Sequence, residues 1–472
     1  MRAFCQNPTA PRPASSHMGA IQGSTFLQTY DLGSNGPGLQ EVRRAFEFLD
    51  ESQWWRQEQM REWQLTKLAP LVAHAARRVP FYRALYGDRA SVETWDDFRS
   101  LPIVTRAQFA DTEPREREAS FALPEHKVLH TTYTSGTSGR RLQISITQRL
   151  QLWRYACILR EWDWLALDPR GDCAILRAPI APGSDSWNES LGAEVYPTWQ
   201  GPALGALVRF GKGFNFDIGR PIERIAEALD EIKPAFLHGT PTYLQVLADH
   251  LRHCRPLALL TLSEQLFPQV RQELEQRYGA RVFDTYAAVE VNRAAADCPS
   301  GQGYHLHEEN VFVELLDESD REAPPGVPAR VVVTSLHNYA TPVIRYELGD
   351  LAEYAEGACP CGRGLRRIST FHGRQISRFL LENGRVCIAT PIVIALQDTP
   401  DVRAAQIRQK SYDDFEILVM GRTDFTAEET GDLQRRFDTL LQRPARLTYQ
   451  FVERIPPLPN GKTPRVVIDF TP

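Results

Sequence analysis

The sequence predicts an α/β fold, in which a large N-terminal domain with parallel strands and a β-rich subregion is followed by a small α+β domain. Its 472 residues exceed what one hydrophobic core usually supports. Short β-rich runs alternate with helical stretches between residues 131 and 334, which is the rhythm of a parallel sheet covered on both faces. The pattern changes around Gly373, so we expect the small domain to span residues 373–472.

The large domain is expected over residues 39–372, because residues 1–38 are rich in Pro, Ser, Gly and Ala and predict a mobile leader. Apolar spacing between residues 41 and 86 favours amphipathic helices. Parallel strands are predicted at 173–176, 235–237, 257–262 and 281–284, with helices at 222–232, 242–251 and 268–278 and later strands at 311–316 and 330–335. In the small domain we expect a helix at 428–441 and strands at 379–381, 407–409, 415–420 and 448–453.

Composition excludes several classes of protein. The 54 basic and 59 acidic side chains give a net charge of −5, without the positive surface that nucleic-acid binding requires. No run approaches the roughly 18 to 20 apolar residues that span a bilayer, so we expect a cytoplasmic protein, a monomer or homodimer, that binds no membrane. Eight scattered cysteines are too few to stabilise a chain of this length through disulfide bonds, and they indicate reduced thiols with at most one metal site.

The strongest local signal is the run Tyr-Thr-Ser-Gly-Thr-Ser-Gly-Arg-Arg at residues 133–141. Glycines let backbone N–H groups approach phosphate oxygens, and the hydroxyl groups and arginines add donors and positive charge. An ordinary surface turn would explain the same run about as well. A Walker A loop is excluded, because Gly461-Lys462-Thr463 has Pro456 in place of the first glycine.

Further motifs follow this loop in a fixed order, at residues 284–290 (DTYAAVE), 345–350 (RYELGD), 373–374 (GR) and 459–462 (PNGK). Together they resemble the adenylate-forming superfamily, and specifically its phenylacetate–CoA ligase-like branch. The likeness runs from about residue 68 to 468 and includes softer features at 79–83, 101–105 and 342–346. It implies a large AMP-binding domain and a small mobile lid domain that carries a catalytic lysine.

The resemblance also implies roles for individual residues. Lys462 would reach the substrate carboxylate and the α-phosphate, Glu290 would bind Mg²⁺, and Arg374 would lie near the ribose or α-phosphate. Two anions react, so cations placed between them are required. The remaining residues would hold ATP: Thr134, Ser135, Gly136, Thr137, Ser138 and Gly139 at the phosphates, Tyr286 on adenine, Asp350 at the ribose, and Ser263 and Glu264 along the pocket wall.

The sequence departs from the family at three places. Ala287 stands where relatives usually carry glycine, and Val289 replaces a hydroxyl residue just before the metal-binding Glu. Residues 375–377 (QIS) replace the usual hinge Asp or Lys. These changes leave open a non-catalytic nucleotide-binding homologue, although retention of the four charged motif residues argues against it.

A second constellation joins Cys298, His305, Cys359 and Cys361. Thiolates and an imidazole at these separations can close a tetrahedral structural Zn²⁺ site, and the resemblance to relatives with the same arrangement implies one. A reduced cysteine pair in a turn is the alternative, and His307 is a competing ligand.

The acid itself is weakly specified. Trp187, Tyr196, His238 and Tyr243 fall in the segment that lines the acyl pocket in relatives, and aromatic walls suit a flat or apolar acid. Core packing explains them equally well. The predicted reaction converts a carboxylic acid and MgATP to acyl-AMP and pyrophosphate and then transfers the acyl group to coenzyme A. An amine or a carrier-protein thiol is the alternative acceptor.

Overall fold

The computed structural model describes most of the chain outside its first 23 residues. The described residues are 24–87, 91–119, 123–133, 142–177, 186–374, 378–382, 386–389, 392–393, 395–396, 399–456 and 464–470. Within them, no helix is long and apolar enough to cross a lipid bilayer.

Short and long helices form the N-terminal part of the large domain. Thr94 and Thr105 cap two of them, each accepting a hydrogen bond from the backbone three residues on. The helices are α1 (Phe26–Tyr30), α2 (Pro37–Ser52), α3 (Gln57–Arg78), α4 (Pro80–Tyr86), α5 (Trp95–Arg99), α6 (Arg106–Asp111) and α7 (Pro114–Arg117).

The described part of the predicted leader, residues 24–38, contacts the large domain. Phe26 is buried against α2, and the Ser24 hydroxyl donates a 2.6 Å hydrogen bond to Asp163. Leu27 and Tyr30 pack against the same apolar cluster as Phe26, and no periodic pattern in the sequence marks the segment.

A mixed sheet runs through the large domain. In the described residues it has 13 strands in the order β12-β13-β14-β15-β11-β10-β9-β8-β7-β3-β6-β5-β4. Its first half by sequence comprises β3 (Cys173–Arg177), β4 (Trp187–Asn188), β5 (Ala193–Tyr196), β6 (Gly213–Asp217), β7 (Phe236–Gly239), β8 (Ala258–Thr261) and β9 (Arg281–Ala288). The pairs β6–β3, β3–β7, β7–β8 and β8–β9 are parallel, which confirms the predicted α/β class.

Helices cover both faces of this parallel region, as the alternating pattern predicted. On one face α8 (Gln148–Leu165) packs with α1 and α2 against Cys173, Phe236 and Ala258. The short helix α9 (Gly201–Gly205) belongs to the same side. On the other face lie α10 (Ile222–Ile232), α11 (Pro241–Leu247) and α12 (Pro268–Tyr278). The bounds of α10 and α12 coincide with the predicted ones, since both helices carry a clear apolar stripe.

The rest of the sheet is antiparallel and forms the β-rich subregion. It comprises β10 (Asn292–Asp297), β11 (Tyr304–Leu306), β12 (Val311–Leu316), β13 (Ala329–Ser335), β14 (Tyr346–Tyr354) and β15 (Arg367–Arg374). Helices α3 to α6 pack on it together with the separate hairpin of β1 (Val128–Tyr133) and β2 (Gln143–Thr147).

The C-terminal region forms an α+β unit with its own apolar cluster. Its elements are β16 (Arg378–Leu380), β17 (Val386–Ile388), β18 (Ala404–Gln409), β19 (Asp414–Met420), α13 (Ala427–Leu441), β20 (Arg446–Phe451) and β21 (Val466–Ile468). Arg403 donates to Asp249 at 2.7 Å and Arg454 to the Ile218 carbonyl at 3.2 Å, so polar contacts hold this unit against the large domain.

Candidate active site

Two predicted nucleotide-binding residues, on different strands of the large sheet, are in direct contact. The Tyr286 hydroxyl, on β9, donates a 2.5 Å hydrogen bond to the Asp350 carboxylate on β14. The Tyr286 ring stacks on Phe371 of β15, with ring centroids 4.0 Å apart and planes 21° apart. Asp350 also lies opposite Arg374 in the β14–β15 register, so the backbone brings three predicted residues together.

The predicted wall of the pocket begins where β8 ends. Ser263 has a left-handed backbone with φ of 71°, which is uncommon outside glycine and indicates a backbone held by its surroundings. The Glu264 carboxylate accepts a 3.3 Å hydrogen bond from the Thr242 amide, and Gln265 donates a 2.5 Å hydrogen bond to the Phe371 carbonyl. The loop after β8 is therefore tied to the strand that carries the ring beneath Tyr286.

Glu290, the predicted magnesium ligand, lies in the turn between β9 and β10 and is buried. Arg106, the first residue of α6, donates to its carboxylate at 3.2 Å. This ion pair joins the N-terminal helices to the edge of the sheet. It also neutralises a carboxylate that would otherwise be buried at high electrostatic cost.

Several predicted residues lie outside the described part of the chain. They are Lys462 and the phosphate-binding run from Thr134 to Gly139. The strands that flank this run pair with Tyr133 opposite Gln143. The roles of these residues, and of the Arg374 side chain, stay predictions.

The four predicted acyl-pocket residues are divided between the two faces of the sheet. The strand register shows which face each residue occupies. Trp187 lies opposite Glu194, which in turn lies opposite Asn215. Asn215 and His238 both lie opposite Ile175 of β3, one on each side of that strand. Trp187, Tyr196 and His238 thus share the face that α8 covers.

Tyr243 lies instead on the opposite face, in α11. It packs in the cluster of α10 to α12, and the guanidinium of Arg454 from the C-terminal unit sits 5.7 Å from its ring centroid. The structure therefore separates Tyr243 from the other three and places it at the contact with the C-terminal unit.

The predicted metal ligands do converge. The ligand atoms of Cys298, His305, Cys359 and Cys361 all lie within 4.8 Å of one another. Cys298 and Cys359 sulfurs are 3.4 Å apart, and His305 Nε2 lies 3.1 Å from Cys361 Sγ. His305 Nδ1 faces the Leu365 carbonyl at 3.1 Å, an arrangement that fixes the ring and turns Nε2 towards the sulfurs. Hydrogen bonds from Cys361 and His305 hold the pKa of the Cys298 thiol far below its ordinary value.

His307, the competing ligand, is engaged elsewhere. Its Nδ1 lies 2.6 Å from the Arg160 guanidinium and its Nε2 lies 2.9 Å from the Glu161 carboxylate. Arg160 also forms two hydrogen bonds with Glu309, of 2.8 and 3.0 Å, and all of these groups are buried. Both ring nitrogens of His307 therefore belong to a buried ion network rather than to the sulfur group.

Sequence reasoning missed two contributors to the nucleotide side of the site. Arg106 directly follows residues 101–105, one of the softer features of the resemblance, but nothing in the sequence connects it with Glu290, 184 residues away. Phe371 lies two residues before the Gly373-Arg374 motif, and the alternation of β15 could have placed its ring beside that motif.

The comparisons with known proteins agree with this architecture. No family model matches the chain. Phenylacetate-coenzyme A ligase of Thermus thermophilus is 26% identical over 438 residues, which cover 86% of this chain and 94% of that ligase. Phenylacetate-coenzyme A ligase of Pseudomonas putida is 24% identical over 343 residues, which cover 69% of this chain and 73% of that ligase.

Solved structures show the same fold. A 2-hydroxyisobutyryl-CoA ligase in the postadenylation state, in complex with R3-HIB-AMP, has a TM-score of 0.64 at 22% identity, covering 86% of this chain and 88% of that one. The same ligase in the thioesterification state, in complex with 2-HIB-AMP and CoA, has a TM-score of 0.54 with the same coverage. The fold is that of the adenylate-forming CoA ligases. Within that class, the sequence relatives confirm the predicted resemblance to the phenylacetate–CoA ligase-like branch.

Proposed function

We propose that the protein is an ATP-dependent acid–thiol ligase. It activates a carboxylic acid as acyl-AMP, with release of pyrophosphate, and then transfers the acyl group to coenzyme A with release of AMP. Relatives that cover most of the chain and carry the name phenylacetate-coenzyme A ligase support this proposal. The observation that carries it is the convergence of Tyr286, Asp350 and the Arg374 backbone in one sheet, with the buried Glu290 in the turn that follows the strand of Tyr286.

The first half-reaction joins two anions, so its site must supply positive charge. A carboxylate oxygen of the acid attacks the α-phosphorus of ATP, and the bond to the β-phosphate oxygen breaks. The hard oxygens of Glu290 suit Mg²⁺, which would offset phosphate charge when bound. Lys462 would approach the α-phosphate from the small domain, which we propose begins at residue 373 and moves as a lid.

The second half-reaction needs a different acceptor at the same carbonyl. The thiolate sulfur of coenzyme A attacks the acyl carbon, and the bond from that carbon to the AMP oxygen breaks. The products are the thioester and AMP, so no further reactant is required. Asp350 and Tyr286 would hold the ribose and adenine of the nucleotide through both steps.

The test measures acid-dependent pyrophosphate release from MgATP over a panel of aryl and short aliphatic acids. Product analysis then compares coenzyme A with candidate amines as acceptors. Pyrophosphate release followed by a coenzyme A thioester supports the proposal. An amide product in place of the thioester would retain the first half-reaction and overturn the second, while ATP binding without release from any acid would overturn both.

We also propose that Cys298, His305, Cys359 and Cys361 hold a structural zinc ion. Tetrahedral zinc with sulfur ligands at about 2.3 Å places those sulfurs about 3.7 Å apart. The observed sulfur separation of 3.4 Å and the 4.8 Å limit on the whole group fit that geometry. The ion would join the β10–β11 turn to the loop before β15, behind the strand that carries Phe371.

Metal analysis tests the zinc proposal on protein purified without added zinc. We expect about one zinc per chain in the wild type and a clear loss in Cys359→Ser. Cys254→Ser is the matched control, because Cys254 is also a buried free thiol but lies in the cluster of α10 to α12. Equal zinc content in all three proteins would remove Cys359 from the ligand set.

A further inference from the structure

Basic side chains converge above the face of the sheet that α8 covers. The chain passes from the end of α8 into the start of β3, so α8 runs antiparallel to the strand and its N-terminal half lies towards the strands' carboxyl ends. Arg177 ends β3, and His238 in β7 lies opposite Ile175, two residues before Arg177 on the same face of the sheet. Ligands of open α/β sheets bind outside this edge.

Arg293, at the start of β10, is already neutralised. Its guanidinium forms an ion pair with Glu161 of α8 and donates a 3.2 Å hydrogen bond to the Thr285 hydroxyl. Glu161 is in turn shared with His307. The Glu161 carboxylate is therefore committed to two partners.

Arg154 lies on the same face of α8, seven residues and about 10 Å before Glu161 along the helix axis. It is partly buried, and its guanidinium carbon lies 5.9 Å from the Tyr155 ring centroid. Among the described residues it forms no hydrogen bond or ion pair with a carboxylate.

The largest charge effect on Arg154 comes from another cation, Arg293, and outweighs that of Glu161. Burial and then the positive charge of Arg293 lower the pKa of Arg154. Burial, followed by the charges of Arg293, Arg177 and Arg154, lowers the pKa of His238 to about 4, so that ring is neutral near pH 7. Burial of a cation that no carboxylate in the described chain contacts directly is unfavourable, and a ligand that brings negative charge relieves it.

We propose that the acid activated by this protein carries a second anionic group, most simply a second carboxylate, which binds Arg154 while the first carboxylate reacts with ATP. A guanidinium binds a carboxylate through two parallel N–H···O bonds. Neutral His238 and Tyr196, whose hydroxyl donates to Glu194, lie on the same face of the sheet and would line the space between the two ends of the acid. The inference rests on the proposed function and narrows its substrate class to dicarboxylic acids.

The test compares matched acids that differ by one carboxylate: pentanoate with glutarate, and phenylacetate with 4-carboxyphenylacetate. In the wild type we expect kcat/KM for pyrophosphate release to be at least about tenfold higher for the diacid of each pair. Arg154→Met should lower kcat/KM for the diacids by about ten- to a hundredfold, as loss of a charged hydrogen bond does, and change the monoacids less than about threefold. The KM for ATP should not change.

Two further variants separate charge from structure. Arg154→Lys keeps the charge and should recover part of the diacid preference. Arg224→Met, on the exposed side of α10, should match the wild type with every acid. Thermal midpoints of all variants report whether α8 is intact, and a loss of monoacid turnover in Arg154→Met equal to that of the diacids would overturn the inference.

The outcomes also separate this inference from the proposed function. Turnover of monoacids as efficient as that of diacids would overturn the second anionic group and leave acid activation standing. If no acid releases pyrophosphate, the proposed function fails, and calorimetry with glutarate and pentanoate then decides the inference. Binding of glutarate that Arg154→Met abolishes supports it, and equal binding of both acids overturns it.

Discussion

The two halves of the candidate site differ in how their polar groups are satisfied. On the nucleotide side, Tyr286 donates to Asp350, and Arg106 pairs with Glu290. On the acyl side, Arg154 forms no hydrogen bond or ion pair with a carboxylate in the described chain, and the positive charge of Arg293 acts on it. The nucleotide side is thus preorganised by internal contacts, as suits a substrate shared by a whole superfamily. The acyl side leaves a charge for its substrate to satisfy, as suits a group that differs between family members.

The most direct test of this comparison removes the cation that the nucleotide side needs in addition to Arg106. Arg106 is already paired with Glu290, so the cation that offsets the reacting anions must come from elsewhere, and the resemblance assigns Lys462. Lys462→Ala should lower acid-dependent pyrophosphate release by roughly 10² to 10³-fold, the usual cost of losing one group that stabilises developing charge.

A matched lysine controls for effects on the small domain. Lys410 in the same region pairs with Asp469 at 2.5 Å on the surface, and Lys410→Ala should keep full activity. Circular dichroism checks that both variants fold. Unchanged pyrophosphate release in Lys462→Ala would refute its catalytic role and leave the nucleotide side dependent on other cations.

A second prediction tests whether the hydrogen bond between Tyr286 and Asp350 organises the nucleotide side. Tyr286→Phe keeps the ring on Phe371 but frees the carboxylate, so we expect a three- to tenfold rise in the KM for ATP, with little change in the KM for the acid. Steady-state kinetics with each substrate varied in turn measures both values.

Tyr304→Phe is the control for this variant. Tyr304 also contacts Phe371, at 5.1 Å between centroids, but its hydroxyl donates to Asp284 rather than Asp350. Its KM for ATP should match that of the wild type. A rise of equal size in both variants would mean that the effect comes from a loosened sheet and not from the nucleotide site.

The sequence predicts those parts of the fold and the site that depend on residues close together in the chain. Helices α10 and α12 and strand β12 were predicted to the residue, because their signals are local apolar patterns. Strand β6 was missed, since Gly213-Phe214-Asn215-Phe216-Asp217 is short and begins with glycine. The grouping of the four Cys and His side chains was anticipated because pairs of them are close in sequence.

The acyl side could not be read in the same way. Arg154 is an ordinary helix residue by sequence, and its setting depends on β10 and β7 reaching it from 139 and 84 residues away. The division of Trp187, Tyr196 and His238 from Tyr243 likewise depends on which face of the sheet each strand and helix presents. Side-chain alternation is local, but the face that α8 covers is decided only by the tertiary fold.

The smallest expected effect on turnover comes from Asp284, which lies in β9 two residues before Tyr286. Burial, and then the charge of Asp297, raises the pKa of Asp284 to about 7, although Thr261 and Tyr304 donate to it at 2.6 and 2.9 Å. Its pKa in the unfolded chain is about 3.9, so the folded protein binds the proton more tightly. The free energy of unfolding therefore falls as pH rises from about 4 to about 7, and levels off above that.

Asp284→Asn should remove this dependence. Relative to the wild type, the variant should gain stability with increasing pH, reaching roughly 2 to 4 kcal/mol at pH 8, while the KM for ATP stays unchanged. Urea unfolding at pH 5, 6, 7 and 8 measures the slope. Asp317→Asn is the control, because hydrogen bonds from the Arg321 backbone lower the pKa of that exposed carboxyl and keep it ionised throughout this range. If wild type and Asp284→Asn show parallel slopes, Asp284 is ionised in the folded protein at all four pH values, and the strand that carries Tyr286 holds a charge that its neighbours fully stabilise.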